Sequence, residues 1–285
     1  MSHPSAALIV SLALAGVLAL PAPARAQAGG TPPQGELKGS AWVHTAASLS
    51  AAVANAAVVL PAAATGGAVY VGKWADAPVG VARVPVVVFL HGSSGLGLKA
   101  IGEWQQWLAT LGVASVAPDS FALPDRVTYS SPIGKDAYER IHALRASEIV
   151  AAATALRQAT WADPARWILA GTSEGSVAVA RHPGSEFAGR MLFAWSCEAN
   201  YFVEAPRNAF EAGKPVLNVI STVDPFFSPT NTWLGNPQAK GHCGDALQGN
   251  PRAKVVLVPG APHTLINLPM AREATAGLLS GFTRP

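Results

Sequence analysis

The sequence predicts an α/β protein with a mostly parallel, doubly wound central sheet and helices on both faces. Three observations carry that expectation. Short apolar runs recur at Val86–Leu90, Val113–Ala117, Trp167–Ala170, Met191–Trp195, Pro215–Val223 and Lys254–Val258. Several of these are continuous rather than alternating, as strands buried on both faces must be. Segments with apolar residues at helical spacing separate them, and strand–helix alternation is the pattern of a parallel sheet joined by right-handed crossovers.

Taken in order, the chain opens with an apolar run, Ala6–Leu20, too short to span a bilayer. Ala24-Arg25-Ala26 follows as a small-x-small cleavage site. Residues 1–26 therefore read as a secretory signal peptide, cut before Gln27, with an uncleaved anchor as the alternative. No later run is apolar and long enough to cross a membrane. Residues 27–66 start Gly/Pro/Gln-rich and become Ala- and Val-rich without a clean period, so no structure is assigned to them. The domain itself is drawn over 67–285, long enough for one sizeable core and too short for two.

Gly67–Trp74 reads as a strand, and Val86–Leu90 as the central one, ending in the glycine-rich loop His91–Gly97. Ile101, Trp104, Leu108 and Leu111 recur at helical spacing, with Gly112 as the stop. Val113–Ala117 is the next strand, and the turn-rich stretch Phe121–Lys135 follows it. Asp136–Gln158 carries Ile141, Leu144, Ile149 and Leu156 on a long amphipathic helix. Asp163-Pro164 is expected to break the chain before the strand Trp167–Ala170. Phe226–Arg252 has no strong periodicity, and Pro269 opens a closing helix to about Phe282. Trp104, Trp107 and Trp161 read as core or half-buried surface.

Composition excludes several classes. The formal net charge is +3, and no basic run is interleaved with aromatics, so a nucleic-acid partner is not expected. No Cys/His cluster has zinc spacing, no dinucleotide fingerprint opens the chain and no phosphate loop is present, so neither metal nor cofactor is expected. Cys197 and Cys243 are the two cysteines. In an exported chain an even pair predicts a disulfide, with two separate buried thiols as the alternative. The expected location is secreted or periplasmic; oligomeric state is not readable.

The chemistry centres on Gly171-Thr172-Ser173-Glu174-Gly175, a G-x-S-x-G between a strand and a helix that continues through Ser176–Arg181. In that context the motif is a nucleophile elbow: a sharp turn lifts Ser173 off the strand end, and glycines two places either side give it clearance. A serine hydroxyl needs a neutral imidazole to take its proton, and that imidazole needs a carboxylate to fix its tautomer. Sites on such sheets lie off the carboxyl ends of strands. Asp224 closes the strand Pro215–Val223 and His263 follows Lys254–Val258, giving the order nucleophile, acid, histidine. The backbone amides of Ser93 and Glu174 are the candidate oxyanion donors.

The rivals are weaker. Glu198 also follows a strand end, Asp119 reads as a turn former and Asp245 as a loop acid. His91 is expected to orient the oxyanion loop, His182 to end the elbow helix and His242 to sit in a surface loop. Glu174 is an unusual neighbour for a nucleophile and needs a partner, for which Arg145 and Arg181 are candidates. Phe226, Phe227 and Trp233 directly follow the acid and either line an acyl or alcohol pocket or simply pack.

Val86-Val87-Val88-Phe89-Leu90-His91-Gly92-Ser93-Ser94-Gly95, Ala117-Pro118-Asp119-Ser120-Phe121, the elbow, the Asp224 strand end and Pro262-His263 together resemble the α/β-hydrolase superfamily. Within it, they are most similar to the dienelactone hydrolase-like group, from about Val84 to the C-terminus. The resemblance implies an α/β/α sandwich and hydrolysis of a small-molecule ester or lactone through an acyl-enzyme, without metal or organic cofactor. Two departures stand out. The group's elbow nucleophile is cysteine where this chain has Ser173, and its oxyanion loop carries an acid where this chain has Gly92. A serine esterase is the inference from both. A serine peptidase and a non-catalytic binding protein on the same frame are the alternatives.

Overall fold

A computed structural model describes residues 33–283; the predicted signal peptide, 1–26, lies outside the described residues. The chain runs β1 (Leu37–Lys38), α1 (Ala46–Ala54), β2 (Ala57–Leu60), α2 (Ala62–Thr65), β3 (Tyr70–Lys73), β4 (Val84–Leu90), α3 (Lys99–Thr110) and β5 (Ala114–Ala117). It continues through β6 (Thr128–Tyr129), α4 (Lys135–Leu156), β7 (Ala162–Thr172), α5 (Glu174–Arg181), β8 (Gly189–Phe193), β9 (Val216–Ser221), β10 (Ala253–Val258) and α6 (Pro269–Thr283). Among the described residues no helix is long and apolar enough to cross a membrane.

Eight strands form one sheet in the order β10-β9-β8-β7-β4-β5-β2-β3. The six from β10 to β5 are mutually parallel, and β2 and β3 join antiparallel. β4 is buried along its whole length, and its side chains split by the two-residue strand period. Val86, Val88 and Leu90 face a core shared with Ile149, Ala152 and Leu156 of α4 and Val177–Ala180 of α5. Val87 and Phe89 face the other core, with Ile101, Trp104 and Leu108 of α3 and Ala271, Ala274 and Leu279 of α6. The predicted mostly parallel sheet, covered on both faces, is the observed one.

Two segments depart from the sequence reading. The unassigned stretch before residue 67 is structured. A capping box starts α1, with the Thr45 hydroxyl accepting from the Ser48 amide at 3.1 Å and the Ser48 hydroxyl accepting from the Thr45 amide at 2.8 Å. The helix then buries only Ser48 and Ala52, so it carries too narrow an apolar stripe to show a period. β2 follows as a buried strand inserted between β5 and β3, which carries the sheet back beyond residue 67. Asp163-Pro164 does not end the strand. β7 begins at Ala162, opposite Val84, and its pairing resumes at Trp167 opposite Val86, so Pro164 sits in a bulge where no ladder donor is needed. The elbow helix starts at Glu174 and continues through Ser176–Arg181, as the sequence predicts. Elsewhere Gly112, at φ +76°, stops α3 as its position predicts.

Candidate active site

The turn between β7 and α5 holds Ser173 at φ 52°, ψ −119°, a backbone conformation that costs a non-glycine residue free energy and persists only where its surroundings enforce it. The enforcement is local. The Ser173 amide donates to the Phe193 carbonyl of β8 at 2.9 Å. The Ser176 hydroxyl lies 2.6 and 2.8 Å from the Gly171 and Phe193 carbonyl oxygens, with one proton to share between them, and accepts from the Phe193 amide at 3.1 Å. Both motif glycines are needed. A Cβ on Gly171 would come within 2.7 Å of the Gly175 carbonyl carbon, and one on Gly175 would collide with the Leu90 carbonyl oxygen.

Two strands over, Asp224 follows β9 and is fully buried. Its Oδ1 accepts from the Phe226 and Phe227 amides at 2.9 and 3.1 Å, and its Oδ2 lies 2.7 Å from Nδ1 of His263, which follows β10. The acid and the histidine singled out in the sequence are thus brought together. An ionised Asp224 is acceptor-only, so His263 carries its proton on Nδ1 and leaves Nε2 as a base. No hydrogen bond joins His263 to the Ser173 hydroxyl among the described residues; contacts of this kind commonly tighten only when substrate is bound.

The glycine-rich loop after β4 lies against the elbow, where a Cβ on Gly92 would touch the Ser173 Cβ at 3.4 Å. Neither the Ser93 nor the Glu174 amide is spent on a backbone carbonyl among the described turns and caps. The Glu174 amide also belongs to the first turn of α5, where N–H groups lack intrahelical partners. His91 holds the loop. Its Nε2 accepts from the Ser120 amide at 3.2 Å, so Nδ1 carries the proton and donates to the Gly92 carbonyl at 2.6 Å. Burial, with the Arg145 charge beside it, lowers its pKa to about 3, so the ring is neutral.

Glu174 is completely buried and paired twice. Its Oε1 accepts from Arg126 Nη2 at 2.7 Å and Arg145 Nη1 at 2.8 Å. Burial alone would raise its pKa; the two guanidiniums outweigh that and hold it at about 2. Arg145 was a sequence candidate. Arg181 was the other, and it pairs instead with Glu139 at 2.8 Å. The sequence reading missed Arg126, which stands in a turn-rich stretch with no periodicity to mark it.

The rival residues have other employment. Glu198 accepts from the Lys240 and Gly241 amides at 2.7 and 3.0 Å, tying down the long loop after Asp224. Asp119 caps the turn at Phe121, Asp245 makes an exposed pair with Lys240, and His182 bonds to Glu186. His242 accepts from the Gly244 amide. Cys197 and Cys243 form a disulfide with Cα atoms 4.8 Å apart. Beside it, the buried side chain of Asn218 in β9 accepts from the Cys243 amide at 3.0 Å and donates to the Trp195 carbonyl at 2.9 Å.

The aromatic residues after Asp224 divide. The Phe226 ring lies 4.7 Å from that of His263. Phe227 is buried, with its ring 6.0 Å from His263 and 6.2 Å from Tyr201. Trp233 packs edge-on against Tyr201 at 4.6 Å. Together with Leu37, Pro132 and Ile133 these two line a cleft of about 600 Å³, a size that admits a small organic molecule.

No family model matches this chain, and no curated protein matches its sequence. Solved structures do match. Esterase PE8 superposes with TM-score 0.50 at 19% identity, over 72% of this chain and 95% of its own. A Klebsiella pneumoniae subsp. pneumoniae protein assigned as a dienelactone hydrolase gives 0.51 at 15%, over 72% and 89%. A cold-adapted esterase from an Arctic intertidal metagenomic library gives 0.50 at 15%, over 76% and 88%. Sheet order, elbow turn and these superpositions agree that the chain has the α/β-hydrolase fold.

Proposed function

We propose that the chain is an exported serine hydrolase that cleaves a small-molecule carboxylic ester or lactone through an acyl-enzyme. What supports the reading is the placement of the candidate residues after the carboxyl ends of parallel strands. A serine forced to positive φ caps β7, and a 2.7 Å carboxylate–imidazole pair caps β9 and β10. The assigned activities of the structural neighbours, two esterases and a dienelactone hydrolase, run the same way.

In this mechanism Ser173 Oγ attacks the carbonyl carbon while His263 Nε2 takes its proton, and Asp224 stabilises the imidazolium. The amides of Ser93 and Glu174 hold the tetrahedral oxyanion, the leaving alcohol receives the proton from His263, and water attacks the acyl-enzyme with His263 again as base. Phe226 flanks the histidine and would lie against one of the substrate's two arms; the cleft beside Trp233 is lined by none of Ser173, Asp224 or His263. Export is read from the leader-like residues 1–26 and fits the disulfide.

A fluorophosphonate probe tests the reading. Labelling should map to Ser173, vanish in Ser173→Ala and be strongly reduced in His263→Ala. Folded wild-type protein that takes no label and hydrolyses no ester in a panel of chain lengths would instead be a binding protein on this frame. Turnover of amides in preference to esters would make it a peptidase.

A further inference from the structure

Glu174 is the starting point, because an anion directly after the nucleophile opposes the charge that an oxyanion would develop there. Its environment is a buried chain of charges. Beyond the two pairs to Glu174, Arg145 Nε donates to Glu148 Oε2 at 2.9 Å, and Glu148 Oε1 meets His44 Nε2 at 3.2 Å. All four charged side chains are at most 1% exposed.

Such a cluster is a poor way to gain stability. Desolvating the charges costs about what their attraction returns, and an apolar core of the same volume does as well or better. This one is also incomplete: Arg145 Nη2 is buried without a hydrogen-bond partner among the described residues. A half-satisfied network needs another reason to exist.

Its connectivity supplies one. Arg145 Nη1 donates to Glu174 Oε1 and, at 2.8 Å, to the carbonyl of His91, the residue at the root of the oxyanion loop. Arg126 donates through Nη2 to the same Glu174 oxygen and through Nε at 2.7 Å to the Ser120 hydroxyl. The Ser120 amide in turn holds the His91 ring that fixes the Gly92 carbonyl. One route therefore runs from the Glu174 carboxylate through Arg126, Ser120 and the His91 ring to the Gly92–Ser93 peptide, and a second, through Arg145, ends one peptide earlier at the His91 carbonyl. The two candidate oxyanion donors, the amides of Glu174 and Ser93, come from segments 81 positions apart in sequence, and oxyanion donors act only when pre-aimed at one point.

We infer that Glu174, clamped by Arg126 and Arg145, is a positioning residue that sets the spacing between the two oxyanion-donating amides. The inference rests on the serine hydrolase reading above. Glu174 touches no substrate; the two arginines neutralise its charge, and its value lies in tying the elbow helix to the oxyanion loop.

The test compares wild type, Glu174→Gln and Arg145→Lys on p-nitrophenyl acetate and on an alkyl trifluoromethyl ketone, whose hemiketal oxygen occupies the oxyanion position. Glutamine keeps the shape but removes the anion both arginines need. Lysine keeps the charge but loses the fork that reaches two acceptors. Expected is a fall in kcat of about ten- to a hundred-fold, short of deleting a donor outright. KM should stay within about twofold while the ketone Ki rises by the same factor as kcat falls. A merely structural role would move the melting temperature and leave Ki alone. Folded Glu174→Gln with wild-type kcat and Ki overturns the inference, as does a loss of kcat with Ki unchanged. Should Glu174→Gln fail to fold, the same two criteria apply to Arg145→Lys. Wild type that takes no fluorophosphonate and turns over no ester removes the hydrolase reading and this inference with it. Active wild type with indifferent variants removes this inference alone.

Discussion

Asp224 and Glu174 are both fully buried carboxylates at the rim that carries Ser173, and the chain holds them in opposite ways. Asp224 has one ionisable partner, a histidine that is part-exposed, and two backbone amides that aim it. Glu174 has two permanently charged partners, neither reached by solvent. The first arrangement leaves a partner whose protonation can change during a reaction. The second locks every charge in place. Burial therefore does not by itself distinguish the two carboxylates; the nature and exposure of the partner does.

Substitution should split the two. The largest effect is expected at Asp224→Asn, which keeps the Oδ1 contacts to the Phe226 and Phe227 amides but presents the wrong partner to Nδ1. A loss of about 10⁴ in kcat is expected by analogy with the serine protease triad, with little change in melting temperature. Glu174→Leu should do the reverse to the fold. Stripping the anion from two buried guanidiniums costs about 3–5 kcal/mol of stability, readable in urea denaturation. If Asp224→Asn melted the protein while Glu174→Leu left its stability intact, the contrast between the corners would be wrong.

The disulfide sharpens the same contrast. The loop following Asp224 is pinned by Cys197–Cys243 across 46 positions, whereas the Glu174 corner is pinned by charge. In the chain-entropy model, closing a loop of that length contributes about 4 kcal/mol. Cys197→Ser/Cys243→Ser should lose ester turnover at temperatures where the far-ultraviolet circular dichroism is still native, because Phe226 and Trp233 ride on that loop. Activity and ellipticity falling together would place the tether's role in the core.

The smallest expected effect is in acid. His91 and His142 are buried and neutral, each held at about 3 by burial first and then by a neighbouring arginine, Arg145 and Arg181 respectively. Unfolding restores an ordinary imidazole near 6.5, so between about pH 6.5 and 3 the unfolded chain binds more protons and stability falls as pH falls. At pH 5 each ring costs about 2 kcal/mol relative to neutral pH. Glu174, held at about 2, adds to the loss only below the ordinary carboxylate range. His142 stacks on Tyr138, and both its nitrogens lack partners among the described residues. His142→Phe should therefore remove about half of the imidazole-dependent melting shift between pH 7 and pH 5. An unaltered slope would mean that this ring is not buried neutral.

What the sequence discloses follows the locality of the signal. β4 is a continuous apolar run, and β5, β8, β9 and β10 are mostly apolar with one or two polar positions; the candidate residues that follow strands, His91, Asp224 and His263, are singled out because sites on such a sheet lie off strand ends. Glu174, next to the motif serine, announces itself as an anomaly. Its answer does not: Arg126 and Arg145 lie 48 and 29 positions away, one in a turn-rich segment and one on a helix with many other charges. α1 and β2 were illegible for a different reason. A short helix burying little more than a serine and an alanine carries no stripe, and a four-residue strand is below the length at which a period can be counted.

That β2 strand has a consequence for how the molecule is assembled. It pairs with β3 on one side and with β5 on the other, so its second partner is made only after β4 and α3 have been synthesised. The first piece of the sheet to leave the ribosome is thus obliged to wait, half-paired, for a segment further down the chain. A truncated version starting at residue 67 would never receive it, and β5, buried throughout, would become an open, sticky border inviting association between copies.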